Sequence, residues 1–507
     1  MVFRSILIKD SDRRTDTARE EPEFFVDLNL GQIVDGISSL AKEYDVKPFF
    51  MNPLDSEDEL IYRQEIFSDL ENPRLFEHVK SFSMELKRVN NYLSGIDRMY
   101  EYQREGWFAD AIEIYCNAVR NFAENLSDEP IHSLGMSELR EYLDQYIKSE
   151  NFSKLVSDLQ RIRSELSEVR YVMTFGSDRI SVQRREAGED YSLEVKKVFR
   201  KFQEGEKQVS KIPLKEPLGM SHVEAAVLGL VAKLYPETFR NLTDFCSMHR
   251  DFFDASISRF HREVQFYVAY LEYIAPIKSR GLSFCIPKVS ADKNISGKNI
   301  FDIALAAKLA KKSVNVVPND FYLLNGERII VVTGPNNGGK TTFARAFGQS
   351  HYLASLGLPV SGTEAHLFLF DRIFTHFEKS EDLENLRGKL EDDLVRIRRI
   401  FDDSTSRSII IINEMLSSTT ISDAVFIGRK IIDIIRGLDC LCIFVTFLDE
   451  ITELDGTVSM VSEVDTMNPE IRTYRILRRP SDGLAYAMAL SRKYGVTYDS
   501  IMERIKE

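Results

Sequence analysis

The chain has 507 residues, 43% of them hydrophobic and 29% charged, an ordinary soluble composition with length for roughly two to four domains. Lys and Arg number 66 against 79 Asp and Glu, and the net charge of −13 argues against whole-surface attraction to nucleic acid while leaving room for a local basic patch. No apolar run approaches the roughly 18 residues of a membrane span, residues 1–10 are too charged for a signal peptide, and the five cysteines show no zinc-ligand spacing. A cytoplasmic protein with reduced thiols and no membrane contact is the expectation.

The first fifty or so residues show no clear period. From Asp55 the pattern sharpens: Ser56-x-x-Glu59 reads as a capping box opening a helix with Leu60, Ile61, Ile66 and Phe67. Asn72-Pro73 stops that helix and starts another, in which Leu75, Val79, Phe82, Leu86, Val89 and Leu93 recur at spacings of three or four. Helical composition continues through Tyr100–Tyr146, around the single tryptophan, Trp107.

Phe152, Leu155, Leu159, Ile162, Leu166, Val169 and Met173 form a heptad seam, and Phe253, Ile257, Phe260, Val264, Tyr267, Leu271 and Ile274 form a second. Each seam needs an apolar partner. Either the two helices lie side by side as a long arm, about residues 150–174 and 251–275, or both belong to one compact bundle.

Between them, over a tip at about 175–215, Thr174–Asp178 reads as a turn, Arg179–Gln183 as a strand and Lys196–Gln203 as a helix. From Arg161 to Lys215 thirteen basic residues face nine acidic ones, a locally positive stretch in a negative chain. Arg179, Arg184, Arg185, Lys196, Lys197, Arg200 and Lys201 are the candidates for a nucleic-acid backbone, although a solvated helix face would have the same composition.

The Lys-, Ser- and Gly-rich residues 281–299 read as a junction. Beyond them, Ile329–Val332, Ile409–Ile412 and Leu441–Val445 are apolar runs suited to buried strands of a nucleotide-binding sheet. The first leads into Gly334-Pro335-Asn336-Asn337-Gly338-Gly339-Lys340-Thr341-Thr342, which satisfies G-x-x-x-x-G-K-[ST] and precedes a helical stretch. Such a turn lets backbone N–H groups and a helix N-terminus embrace phosphates, with Lys340 at the β/γ-phosphates of ATP and Thr341 on Mg²⁺. At the end of the second run, Glu414 is placed to act as base toward water, and Asn413 can accept from a metal-bound water but brings no charge.

Coiled-coil ATPases of the structural-maintenance type insert their coil between the Lys loop and the acidic pair, an interval too short here. The order found, and Val317-Pro318-Asn319-Asp320 followed by Thr333–Thr342, resemble the MutS family of DNA mismatch repair ATPases with its P-N-D … T-G-P-N-M-G-G-K-S-T. Phe370-Asp371-Arg372-Ile373-Phe374-Thr375 resembles its I-D-R-I-F-T, and Ser380-Glu381-Asp382-Leu383 its S-D-D-L.

The resemblance implies an α + α/β fold, with a helical core and lever over residues 1–300 and a P-loop (ABC-type) nucleotide-binding domain with a mostly parallel sheet over 301–507. It also implies a homodimer that holds ATP between two loops, with the Asn385–Leu390 region of one subunit completing the site of the other. Asn319 and Val316 would flank the nucleotide. Gly388 stands where the family's signature serine would approach the γ-phosphate, Phe447 where its histidine would lie, and Val316 where an aromatic ring stacks on adenine. Asn413, Leu416 and Ser417 depart from D-E-I-G-R-G-T, which points to a slow ATPase.

No Gly-x-Phe-Tyr-Glu motif of a mismatch-binding domain occurs, and the expectation is a core, lever and ATPase without a mismatch-binding domain, a connector or a nuclease tail after Asp482–Ala487. The function expected is an ATP-switched dimeric clamp on duplex, mismatched or branched DNA in repair or recombination, cytoplasmic or nucleoid-associated, with room for an additional protein partner. Rival readings are a non-catalytic ATP-gated scaffold around a protein or ribonucleoprotein, and a true mismatch sensor.

Overall fold

The computed structural model describes residues 3–9, 21–176, 179–185, 220–312, 314, 316–378, 388–416, 419–464, 472–481, 498 and 501–502. In chain order the helices are α1 (Phe24–Asp27), α2 (Leu30–Ser38), α3 (Glu57–Asp69), α4 (Pro73–Gly95), α5 (Glu101–Asp128), α6 (Leu134–Ile147), α7 (Glu150–Ser167), α8 (His222–Leu234), α9 (Pro236–Met248), α10 (Ala255–Lys278), α11 (Ile303–Ala310), α12 (Lys340–Ser355), α13 (Lys389–Asp403) and α14 (Ile421–Leu438). The strands are β1 (Tyr171–Phe175), β2 (Ile180–Arg184), β3 (Phe284–Cys285), β4 (Lys288–Ser290), β5 (Ile295–Ile300), β6 (Asn319–Leu323), β7 (Ile329–Thr333), β8 (Val360–Ser361), β9 (Glu364–Phe368), β10 (Ile373–Phe377), β11 (Ile409–Asn413), β12 (Leu441–Val445), β13 (Thr457–Val464) and β14 (Arg472–Arg478).

The chain folds as two compact units, and the first gathers Met1–Phe3, Pro73–Pro130 and Ser137–His261. Its long helices α4 and α5 pack together, with Phe82 stacked on Phe122 at 4.1 Å between ring centroids and Phe260 of α10 against both. Phe152, Leu155, Leu159 and Ile162 of α7 are buried, and α7 packs against α5 and α9. The two heptad helices therefore have packing partners of their own, α5 and α9 for α7 and the Phe82–Phe122 cluster for α10.

The seam of α7 also ends earlier than its spacing implies. The helix stops at Ser167, and Met173 lies in β1, paired antiparallel with Val182 of β2. Tyr171-Val172-Met173-Thr174-Phe175 is β-branched and aromatic, so a hairpin closed by the Gly176 N–H on the Arg179 carbonyl at 2.8 Å competes successfully with a further helical turn. Thr174 and Phe175, read above as turn, are paired strand residues. The helix expected at Lys196–Gln203 lies outside the described residues.

The second unit gathers Arg4–Asn72, Ile131–Met136 and Arg262–Glu507. Its main sheet has the order β10-β11-β12-β7-β13-β14, parallel except for antiparallel β14. The three apolar runs form β7, β11 and β12, every residue buried, as strands covered on both faces must be. Alternation sorts their side chains: Ile329, Val331, Ile410, Ile412, Cys442 and Phe444 face Ile397 of α13 and Ile431, Ile432 and Ile435 of α14. On the opposite face, a Cβ on Gly348 of α12 would sit 2.8 Å from Ile411, which sets how closely helix and sheet approach.

Three further expectations change here. Residues 281–299 supply β3, β4 and most of β5, because strands that pair with β8 and β9 some seventy residues later leave little local signal. The capping box at Ser56 does not form: Ser56 is an extended N-cap without a side-chain bond, and buried Glu59 accepts the Lys9 N–H at 3.2 Å instead. The unassigned first fifty residues brace the sheet unit. Arg345 donates to the Asp27 carbonyl at 2.8 Å, Thr375 to the Asp27 carboxylate at 2.6 Å, and Phe25 meets Tyr352 edge-on.

Gln349 of α12, fully buried, ties this region together. Its amide donates to the Leu28 carbonyl and the Asp302 carboxylate and accepts the Ile303 N–H, at 2.9, 2.8 and 2.8 Å. Gln349→Leu strands all three groups, and a loss of about 2–4 kcal/mol in urea unfolding is expected.

Two buried imidazoles make stability depend on pH. Burial pushes His261, which faces the Ser83 carbonyl, and His351, which faces that of Phe347, down to about 4. Each stays neutral in the fold while the unfolded chain takes up a proton below about pH 6.5. Stability is therefore complete above that pH and is lost as pH falls toward 4, by up to about 1.4 kcal/mol per pH unit and histidine. Burial raises the carboxyls of Asp302 and Glu105, which opposes the trend only where carboxylates titrate. The urea midpoint is expected to be lower at pH 5 than at pH 7, and the reverse order would contradict this account.

Candidate nucleotide site

The glycine loop joins the carboxyl end of β7 to α12, in the unit that contains the parallel sheet. Gly334 and Gly339 have φ of 117° and 95°, and Asn337 has 59°, left-handed values that explain two of the glycines and the asparagine. Gly338 is required by space: a Cβ there would lie 2.3 Å from Ser462 Oγ on β13 and 2.9 Å from the Pro335 carbonyl oxygen. Ser462 Oγ donates to the Gly338 carbonyl at 2.8 Å, so β13 holds the loop from one side.

Lys340 begins α12 and is only 4% exposed. Its ammonium donates to the Gly334 and Pro335 carbonyls at 2.9 and 3.2 Å and stands 3.7 Å from Glu414. Burial lowers the Lys340 pKa, while the Glu414 carboxylate opposes the shift and the Arg472 guanidinium adds to it.

Thr341 Oγ donates to Asn413 Oδ1 at 2.8 Å, across from α12 to the end of β11. The register β11–β12–β7 brings Asn413, Val445 and Val332 level, which puts these two oxygens at one end of the sheet. Both are hard, neutral oxygen donors beside the Glu414 carboxylate, a set that suits a partly hydrated Mg²⁺. Glu414 itself lies just past the strand at φ 54°, and buried Leu416 follows at 69°, so the chain turns sharply where the acidic residue is presented.

Asn319 works through another strand. Its side chain donates to the Tyr474 carbonyl at 3.1 Å and accepts the Ile476 N–H at 2.6 Å, fastening β14. Val316 is buried. A cleft of about 480 Å³ is lined by Val317, Pro318, Asp320, Tyr322, Arg475 and Arg478, among others. Gly388 is the N-cap of α13 with open space around it, and Phe447 is 47% exposed. Ser417 and residues 385–387 lie outside the described residues.

The candidates for nucleic acid lie in the helical unit and divide. Arg184 donates to the Leu234 carbonyl and lies 4.7 Å over the Tyr235 ring, a structural engagement, and the Arg185 N–H donates to the Arg170 carbonyl at 3.2 Å. Arg179 is exposed beside the hairpin turn. Lys196, Lys197, Arg200 and Lys201 lie outside the described residues.

Sequence reading missed Ser462, Arg472 and Tyr474, all on β13 and β14. Arg472 Nε donates to the Asn336 carbonyl at 3.2 Å, and Tyr474 lies 3.7 Å from where a Gly339 Cβ would be. They follow the loop by more than 120 residues, and no motif marks them.

By fold and site this is a mixed helical and sheet protein whose mostly parallel sheet presents a glycine loop, a buried lysine and a Thr–Asn–Glu cluster at one end. Residues 330–497 match the family model described as MutS domain V. The DNA mismatch repair protein MutS of Symbiobacterium thermophilum is 31% identical over 197 residues, covering 38% of this chain and 22% of the relative. That of Thermotoga maritima is 32% identical over 187 residues, 36% of this chain and 22% of the relative. That of Ruminiclostridium cellulolyticum is 29% identical over 236 residues, 44% and 26%. Residues 330–497 are thus similar to MutS domain V, and the chain spans about a quarter or less of the length of these relatives. Among the described residues no helix is long and apolar enough to cross a membrane.

Gly338→Ala forces the loop away from β13 and from its own Pro335 carbonyl. A loss of about 1–3 kcal/mol in urea unfolding is expected, the range for overpacking a close contact.

Proposed function

We propose that the chain binds ATP with Mg²⁺ at the loop Gly334–Thr342 of a P-loop (ABC-type) domain and hydrolyses it slowly. The observation that carries this is the buried Lys340 ammonium inside a glycine turn, next to Thr341, Asn413 and Glu414 at the carboxyl end of the sheet.

Lys340 exchanges carbonyl acceptors for β/γ-phosphate oxygens, which are stronger acceptors. The loop amides and the α12 N-terminus supply further positive potential. Thr341, through its hydroxyl oxygen, and Asn413, through a bound water, would hold the metal, which would supply positive charge to the phosphates. Glu414 orients the attacking water and takes its proton. Asn413 lacks the charge of an aspartate, and Phe447 offers no polar group, so turnover is slow. The cleft between β6 and β14 receives the base, with Tyr322 and Arg478 in its wall.

Two copies pair through these sites, Gly388 of one approaching the phosphates held by the other, and nucleotide occupancy switches the grip of the helical unit on DNA. The basic segment around Arg179, Arg185 and Lys196–Lys201 meets the phosphate backbone. The relatives are named as DNA mismatch repair proteins, and we place this chain in DNA repair or recombination in the cytoplasm.

Asn413 and Phe447 also favour a second reading, an ATP-gated scaffold that does not turn over. Fluorescent-nucleotide titration is expected to show ATP binding that Lys340→Ala weakens more than about tenfold, on the order of 1.4 kcal/mol or more. Steady-state turnover by the native chain above that of Glu414→Ala supports the ATPase, and equal, negligible rates with binding intact support the scaffold. Native protein that binds no ATP would end both readings.

A further inference from the structure

We propose that the Tyr474 ring is the platform for the sugar of the bound nucleotide, between the phosphates in the glycine loop and the base in the cleft of β6 and β14; this rests on the ATP reading above. Tyr474 touches both places. Its Cα, Cβ and Cδ1 each lie 3.7 Å from where a Cβ on Gly339 would stand, so it packs on the last glycine of the loop, directly before Lys340. Its carbonyl accepts from Asn319 Nδ2 at 3.1 Å, and Asn319 lines the cleft together with Arg475, Ile476 and Leu477, the residues that follow Tyr474 on β14. A nucleotide with its phosphates in the loop and its base in the cleft passes this ring on the way. The part that joins base to phosphate is the sugar.

The ring is available to a ligand. Tyr474 is 50% exposed, and among the described residues its ring has no aromatic or cationic partner and its hydroxyl no hydrogen bond. Tyr322, the aromatic residue of the cleft wall, is placed differently, with the Arg478 guanidinium 4.1 Å from its ring centre. A half-exposed aromatic face offers apolar area on which the C–H groups of a sugar are buried when the nucleotide docks.

The strand is shaped to put the ring there. Tyr474 has φ of 60°, a left-handed conformation that a bulky residue rarely adopts, and its neighbours hold it in place. Thr473 donates to the Glu463 carbonyl at 2.8 Å, and Asn319 both donates to the Tyr474 carbonyl and accepts the Ile476 N–H at 2.6 Å. Asn319 becomes a positioning residue: it acts on the nucleotide through β14.

The test uses calorimetry with Mg²⁺ on the full chain, in its native form and as Tyr474→Asn and Tyr474→Phe. The ligands are ATP, ADP and inorganic tripolyphosphate, which carries phosphates and no nucleoside. Asparagine tolerates the left-handed backbone and removes the ring, whereas phenylalanine keeps the ring. The expected result is that Tyr474→Asn weakens ATP and ADP by the same factor, about five- to tenfold, and leaves tripolyphosphate within about twofold, while Tyr474→Phe stays within about twofold of native for all three. ATP affinity retained by Tyr474→Asn, a Tyr474→Phe as weak as Tyr474→Asn, or ATP and tripolyphosphate weakened together, as a brace of the loop would give, would overturn the assignment while leaving the loop reading intact. A native chain that binds tripolyphosphate as tightly as ATP would do the same. A native chain that binds neither would overturn both.

Discussion

A nearly buried ammonium group cannot be left without acceptors, and the site is built around that constraint. Lys340 has lost most of its water, and the carbonyls of Gly334 and Pro335 replace it. Those carbonyls point inward because Gly334 adopts a left-handed turn, and the turn keeps its shape because Ser462 of β13 lies too close for any side chain at Gly338. The lysine, the glycines and a strand more than a hundred residues away are one arrangement.

The same logic links the sheet to its chemistry. Parallel pairing sets Asn413 of β11 level with the end of β7, where α12 starts, and that level lets Thr341 reach Asn413. An aspartate there would bring a charge into a buried corner beside Glu414. Asparagine keeps the hydrogen bond and omits the charge, so the site retains its geometry while losing part of its hold on a divalent cation.

The loop and the three central strands were legible because their signals are local: glycines at fixed offsets, and apolar runs that only doubly covered strands need. The bracing of the loop was not legible, since Ser462, Arg472 and Tyr474 are ordinary residues whose part depends on which strands pair. The Pro-Asn-Asp motif points to Asn319 as a residue near nucleotide, and in the structure its side chain holds β14. Local charge points to Arg184 as a basic contact, and its guanidinium lies on Tyr235 and the Leu234 carbonyl.

In the helical unit, spacing alone identified the buried faces of α4, α7 and α10 but neither their partners nor the end of α7, where β-branched residues and a hairpin partner outcompeted the heptad. The amino-terminal residues carried no period because they are fastened individually, through Asp27, Leu28 and Gln349, to elements three hundred residues on. Sequence by itself determined where the phosphate loop lies, which strands are covered on both faces and which family the chain resembles, because short-range sterics and burial leave periodic marks. Only the tertiary structure decided what surrounds Lys340, which strand carries Arg472 to the loop and where residues 281–299 pair, because hydrogen bonds between distant segments leave no pattern along the chain.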